Sequence, residues 1–393
     1  NYIERSLIMS IIENVAGLSD AGMKCAHGIA EYYLRNQIRF RDWEPGAGSF
    51  FFEYDAFGIP QLSATEWAIA FAAMGMFSAA KVFDDQRYLY AAQKMGVYLK
   101  SLQIFDPFIP EHRGALREHT PQSTWCYVRD GLSGAWGFVD FYRVTGEEEY
   151  LERAVLWAEW YMRKGQDEDG LPLWGVDLEP PWRDGSALMR NDVLGDFHGG
   201  CLNFFYHLYK ATGDKKWIGD WYVSFAERYL KYVQQPDGYY RTVIKATMSV
   251  PENDPQGGLH KSNDDLTSLG LLCAYKATGD RKFLDGAEKF LAAVARDQQP
   301  DGFFEQSCAG IPVVLNTVLE AEKLNVMHNF TGESECRALK ALFSRQNNAS
   351  MYPYLEGGMD EYGRGGACSR SSAYSLIVLL KLFAGDKRFL AVP

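Results

Sequence analysis

The sequence predicts an all-α protein, an (α/α)6 toroid in which six helical hairpins close into an inner and an outer ring, with residues 1–393 forming one domain. Three observations predict it. The chain repeats itself at Gly146, Gly213 and Gly279, spaced by 67 and 66 residues, and a period of that length holds two helices and two loops. Helices of two kinds alternate, one amphipathic and one apolar on nearly every face, and a helix apolar all round belongs inside a packed wall. The repeat also accounts for the whole chain, whereas length alone, at about 150 residues per domain, suggests two or three domains.

The repeat is clearest in TGEEEYLERAVLWAEWYMRKGQDEDGLPLW from Thr145, TGDKKWIGDWYVSFAERYLKYVQQPDGYY from Thr212 and TGDRKFLDGAEKFLAAVARDQQPDGFF from Thr278. Each TG(D/E) step ends one helix with Gly at the C-cap and starts the next with acidic residues, which the helix dipole favours there. Apolar residues then recur at helical spacing: Trp217, Trp221, Phe225 and Leu230 in one copy, Phe283, Ala287, Phe290 and Val294 in the next. The steps Asp169-Gly170, Asp237-Gly238 and Asp301-Gly302 are tight turns that lead into longer loops. Weaker copies open outer helices from Asp84 to about Leu102 and from Gly332 to about Arg345, and Gly385-Asp386 begins a last one. The inner helices begin near Glu66, Arg129, Asp196, Asp264, Gly310 and Ser369, and a helix near Asp20 to Asn36 closes the ring.

The chain is 47% hydrophobic and carries 51 acidic against 40 basic residues, a net charge of -11. That balance excludes disorder and argues against a nucleic-acid channel or a polybasic membrane surface, which need attraction for phosphate. A small or neutral partner fits better, acting on a monomer or homodimer. The seven cysteines are scattered without a CxxC pair, which fits buried thiols of a cytoplasmic protein, or a periplasmic one had a signal peptide been removed. No uninterrupted apolar stretch reaches the roughly 18 residues of a membrane span. There is no GxGxxG, P-loop, HExxH or close His/Cys set, so neither cofactor nor metal is expected.

The long connections, Gln103 to Val128, Leu171 to Gly195, Tyr239 to Asn263 and Asn347 to Cys368, lead into the N-termini of inner helices, so the functional site is expected at that end. Arg129 and Asp130 stand at the mouth of the second inner helix, as a cation beside an acid/base carboxyl or as a cap beside a solvated Arg. Asp196 and His198 stand at the third, and His260, Asp264 and Asp265 at the fourth. Of the paired aspartates one is a cap and the other points to the pore. Asp130, Asp265, His198 and Asp196 are the expected catalytic groups. Glu66 and Trp67 open the first inner helix, and Trp125, Trp174, Trp182, Tyr239 and Arg241 lie on loops, where aromatic faces stack on sugars. These five with Glu66, Trp67, Arg129, His260, Asp264 and Arg370, the last a possible carboxylate clamp, are the expected substrate-binding residues.

Six hairpins with TGDxx(F/Y/W)L and Q(Q)PDG(F/Y) steps resemble the six-hairpin carbohydrate enzymes, closest to the unsaturated glucuronyl hydrolases of glycoside hydrolase families 88 and 105 and the β-glucuronidases of family 154. The resemblance covers nearly the whole chain. It implies carboxylates at inner-helix starts, as Asp130 and Asp196 are here, acting without a metal on a terminal uronic acid of an oligosaccharide. The expected activity is therefore an exo-acting glycoside hydrolase. The same toroid supports sugar epimerases and polysaccharide lyases, for which His198 and His260 are suited, and a non-catalytic glycan-binding ring is the remaining alternative.

Overall fold

The computed structural model describes residues 10–38, 46–166, 172–173, 175–178, 193–194, 199–240, 243–245, 265–348 and 351–393. In chain order the helices are α1 (Ile11–Val15), α2 (Ser19–Asn36), α3 (Glu66–Phe83), α4 (Gln86–Ser101), α5 (Val128–Thr145), α6 (Glu148–Trp160) and α7 (Gly200–Thr212). They continue as α8 (Asp220–Tyr232), α9 (Asp265–Thr278), α10 (Arg281–Arg296), α11 (Gly310–Glu322), α12 (Gly332–Phe343) and α13 (Ser369–Ala384). Among the described residues seven short strands lie between them: β1 (Phe51–Tyr54), β2 (Pro60–Ser63), β3 (Trp125–Tyr127), β4 (Gly175–Asp177), β5 (Val193–Leu194), β6 (Val243–Lys245) and β7 (Ala367–Cys368).

The odd-numbered helices from α3 to α13 form the inner ring, each packed on the next, and α13 packs back on α3 to close it. The even-numbered helices from α2 to α12 form the outer ring. This is the (α/α)6 toroid the sequence predicts. Its inner helices are buried almost throughout, as in α3 from Ala68 to Ala79. By length and composition α3 is apolar enough to cross a membrane, but most of it is buried within the protein. Much of the aromatic content fills the seam between the rings: Trp136, Trp157, Trp160 and Tyr161 are fully buried. All seven cysteines are unpaired, and all but Cys336 are buried.

One end of the ring is built from tight turns. Gly146, Gly213, Gly279 and Gly385 adopt left-handed φ values of 69° to 75°, and Asp84 (52°) and Asn325 (55°) take the corresponding place in the other two turns. Thr145, Thr212 and Thr278 each donate to the carbonyl four residues back and accept the N–H two residues on, which explains the TG(D/E) signature. The segment after Gly385 does not start a helix, contrary to expectation. It crosses the floor of the ring: Arg388 donates to Phe77 O, Leu390 O accepts from Asn316 and Lys381, His207 Nε2 donates to Ala391 O, and Val392 N donates to Glu320. These partners sit on α3, α7, α11 and α13.

The opposite end carries a repeated clasp. Beyond the C-terminal ends of five outer helices, Gln37, Gln103, Gln234, Gln298 and Gln346 each donate from Nε2 to two carbonyls. One belongs to the glycine of the following turn: Gly48, Gly114, Gly238, Gly302 and Gly357. The other lies on the next outer helix: Ala91, Arg153, Gly286, Ser334 and, across the closure, Cys25. Each of those glycines has φ between 83° and 102°, and a Cβ on it would overlap a carbonyl of that next helix, so no other residue fits. Between α6 and α8 the link differs, Trp221 donating to Gln166 Oε1 at 2.7 Å.

Candidate active site at the long-loop end

At the first inner-helix mouth, Thr65 caps α3 by accepting from Ala68 N, and the loop after α4 folds back over it. Glu66 N donates to Glu118 O and Glu118 N to Trp125 O, both at 3.0 Å, so the loop is pinned to α3 on one side and to β3 on the other. β3 pairs with β4 and runs straight into α5, placing Arg129 and Asp130 in its first turn. Three carboxyl groups from separate segments therefore converge. Glu66, Glu118 and Asp130 each present an oxygen within 4.8 Å of the others, and all three residues are buried.

Their partners are few. Arg129 Nε donates to Asp130 Oδ1 at 2.6 Å, with its guanidinium 5.2 Å from the Tyr127 ring. Among the described residues neither oxygen of Glu66 has a hydrogen-bond partner, nor does Oε2 of Glu118, whose Oε1 lies 3.9 Å from His119 Nε2. Burial, followed by repulsion from Glu118 and Asp130, pushes the Glu66 carboxyl well above the carboxylate range. Burial and then Asp130 do the same to Glu118 against the pull of Arg129. Asp130 is the carboxylate that Arg129 holds by a charge-assisted hydrogen bond.

A second charged group lies on the neighbouring rim. Arg370, in the first turn of α13, donates to Glu361 Oε1 and Tyr362 Oη, and Ser307 donates to the same Glu361 oxygen. Burial would raise the Glu361 carboxyl, but Arg370 outweighs it and holds it down at about 2. An open cleft of about 540 Å³ adjoins this pair, where β7 and the β1–β2 hairpin meet, lined by Glu53, Asp360, Tyr362, Arg364, Phe57 and Leu62 among others.

The structure brings Glu66, Arg129 and Asp130 of the expected set together and puts Arg370 on the same end. Arg370 faces a protein carboxylate rather than a vacant anion site. Trp67 is half-buried, stacked on Tyr374 and edge-on to Phe52 and Phe71, so only part of its indole is available. Trp125 is partly exposed and edge-on to Tyr127. Tyr239 is a correction: it is buried, its hydroxyl donates to Ala293 O and Asp297, and its ring meets Phe290. It packs against the outer helix α10, because the Asp-Gly turn before it docks there. Asp265 is the first residue of α9, and its side chain lies outside the described residues, as do Trp174, Trp182, Asp196, His198, Arg241, His260 and Asp264. Sequence reasoning missed Glu118 and Glu361. Their burial comes from loops returning onto the ring, which no local pattern announces.

No protein-family model matches the chain, and no curated protein matches it. Among solved structures it is similar to a cellobiose 2-epimerase from Bacillus thermoamylovorans, with a TM-score of 0.70 and 14% identity over 93% of this chain and 100% of that one. It is similar to a family 76 glycoside hydrolase, a mannosidase from Bacteroides thetaiotaomicron, with a TM-score of 0.66 and 14% identity over 93% and 99%. A third is an inactive variant of an α-1,6-mannanase from Salegentibacter sp., two consecutive aspartates replaced by asparagine, in complex with α-1,6-mannotriose. It has a TM-score of 0.59 and 13% identity over 92% and 99%. At such identities the likeness establishes the shared toroid.

Proposed function

We propose that this chain is a glycoside hydrolase working at the long-loop end of the toroid. The observation that carries the reading is the convergence of Glu66, Glu118 and Asp130 at the mouths of α3 and α5, with Arg129 on Asp130. Glycosidic hydrolysis needs one carboxyl to protonate the leaving oxygen and a second, ionised, to activate water or stabilise the positively charged sugar. Asp130 suits the second role. Asp265, opening α9, is the proposed partner across the mouth. The α-1,6-mannanase similar in fold is inactive when two consecutive aspartates are replaced. This chain has two such pairs, of which Asp84-Asp85 lies at the tight-turn end and Asp264-Asp265 at an inner-helix mouth.

The finer reading, a terminal uronic acid, draws on Arg129 and Arg370. Each guanidinium already bonds a protein carboxylate, so a uronate would have to compete with Asp130 or Glu361, whereas a neutral sugar would not. Epimerisation is the second reading, favoured by the fold similarity to a cellobiose 2-epimerase and by His198 and His260 as candidates for proton transfer. Incubation with α-1,6-mannooligosaccharides, an unsaturated glucuronyl disaccharide and cellobiose, followed by product chromatography, separates the cases. The expected result is release of a monosaccharide, reduced at least about a hundredfold in Asp130→Asn. Unchanged turnover of every cleaved substrate in that variant, or a 2-epimer as the sole product, would overturn the hydrolase.

A further inference from the structure

We propose that Glu66, Glu118 and Asp130 form a binding site for a divalent cation of the Ca²⁺ type, between the mouths of α3 and α5. The argument starts from charge. Ionised together, three carboxylates beside one guanidinium, with His119 Nε2 3.9 Å from Glu118 Oε1, crowd negative charge in a buried pocket, which is costly unless it is neutralised. A single divalent cation neutralises it. Glu66 supplies the independent observation: it is fully buried, points at the other two carboxyl groups, and neither of its oxygens has a hydrogen-bond partner. Two protons would neutralise the group as well, and a carboxyl stretch in the infrared distinguishes them from an ion.

The donor set decides the kind of ion. All three donors are carboxylate oxygens, the hard ligands that calcium and magnesium take. A set of three protein carboxylates suits calcium, which takes several oxygen ligands in flexible geometry, better than magnesium, which keeps several waters and takes one or two carboxylates. Asp130 has two oxygens to share between the two cations, and Oδ1 is on Arg129. The ion would tie the loop that carries Glu118 to both inner helices, so its binding is a stability effect as well as a chemical one. This proposal does not rest on hydrolysis, and it runs against the sequence expectation that no metal binds.

The test uses the full chain, treated with chelator and desalted, then titrated calorimetrically with CaCl2 or MgCl2 and melted with and without each. One equivalent of Ca²⁺ should bind, more tightly than Mg²⁺, and raise the melting temperature by about 3 °C at a hundredfold excess over Kd. Glu66→Gln should keep its helical circular dichroism and lose both the heat and the shift. Should that variant not fold, Glu118→Gln takes its place. Absence of any heat or shift in the wild type at about 10 mM Ca²⁺, beyond even weak extracellular sites, overturns the proposal. So does a protonated carboxyl stretch in the infrared at neutral pH that Ca²⁺ leaves in place and Glu66→Gln removes. Binding without turnover of any sugar would support the cation site while sinking the hydrolase.

Discussion

At the scale of single residues, the floor of the ring holds the most consequential charges. Lys381 is fully buried and donates to Glu320, Asn316 and Leu390 O. Removing one partner of a buried ion pair strands the other, which costs about 3 to 5 kcal/mol. Lys381→Met should therefore lower the unfolding free energy by about 3 kcal/mol in urea titrations, with Lys323, also on Glu320, moderating the loss. Glu335 makes a prediction in pH. It is fully buried with Asn14 on one oxygen, and burial lifts its carboxyl from 4.5 to about 7. The folded state then holds a proton that the unfolded state has released between those values, so stability falls as pH rises through that window. Glu335→Gln removes this dependence: its stability relative to wild type should climb by about 2 kcal/mol from pH 4.5 to 7. A flat difference across that range would refute the assignment.

At the scale of elements, the sequence disclosed what local chemistry controls. The TG(D/E) steps are legible because a left-handed C-cap demands glycine and the threonine hydroxyl bridges two backbone groups. Where the same turn is made by Asp84 or Asn325 the pattern blurs, and those copies read as weak. The left-handed conformation costs a non-glycine residue about 1 kcal/mol, so Asp84→Gly should stabilise the protein by roughly 0.5 to 1 kcal/mol. A thermal melt showing no gain would mean that the Asp84 side chain contributes something glycine cannot. The outer helix expected directly after the Thr212-Gly213 step opens instead as a 3-10 turn over Lys215–Ile218, and α8 begins only after Gly219, which apolar spacing alone does not reveal. The glutamine clasps were legible only as letters of the Q(Q)PDG steps at Gln234 and Gln298, not as contacts. A glutamine has no preferred local structure, and its role exists only once the neighbouring hairpin is in place. The candidate site divides in the same way: Glu66, Arg129 and Asp130 follow from being at helix starts, whereas Glu118 reaches them through a loop whose path is tertiary.

At the scale of the whole molecule, the closure joins the beginning of the described chain to its end. Gln346 reaches Cys25, Tyr33 donates to Ser369 O, and Ile11 N donates to Glu322. No hairpin has a complete set of neighbours until the last is placed, so unfolding should be one cooperative event. Scanning calorimetry should show a single transition with calorimetric and van't Hoff enthalpies in agreement, and two resolved peaks would contradict a single domain. The crossing of the floor by Phe389, Leu390 and Ala391 has a further consequence. A ring open at both faces would let a polymer slide through and be cut anywhere along its length. With the tight-turn face crossed by this segment, a polymer could not thread the ring, so under the proposed hydrolysis a long chain would offer its tip or lie across the opposite rim.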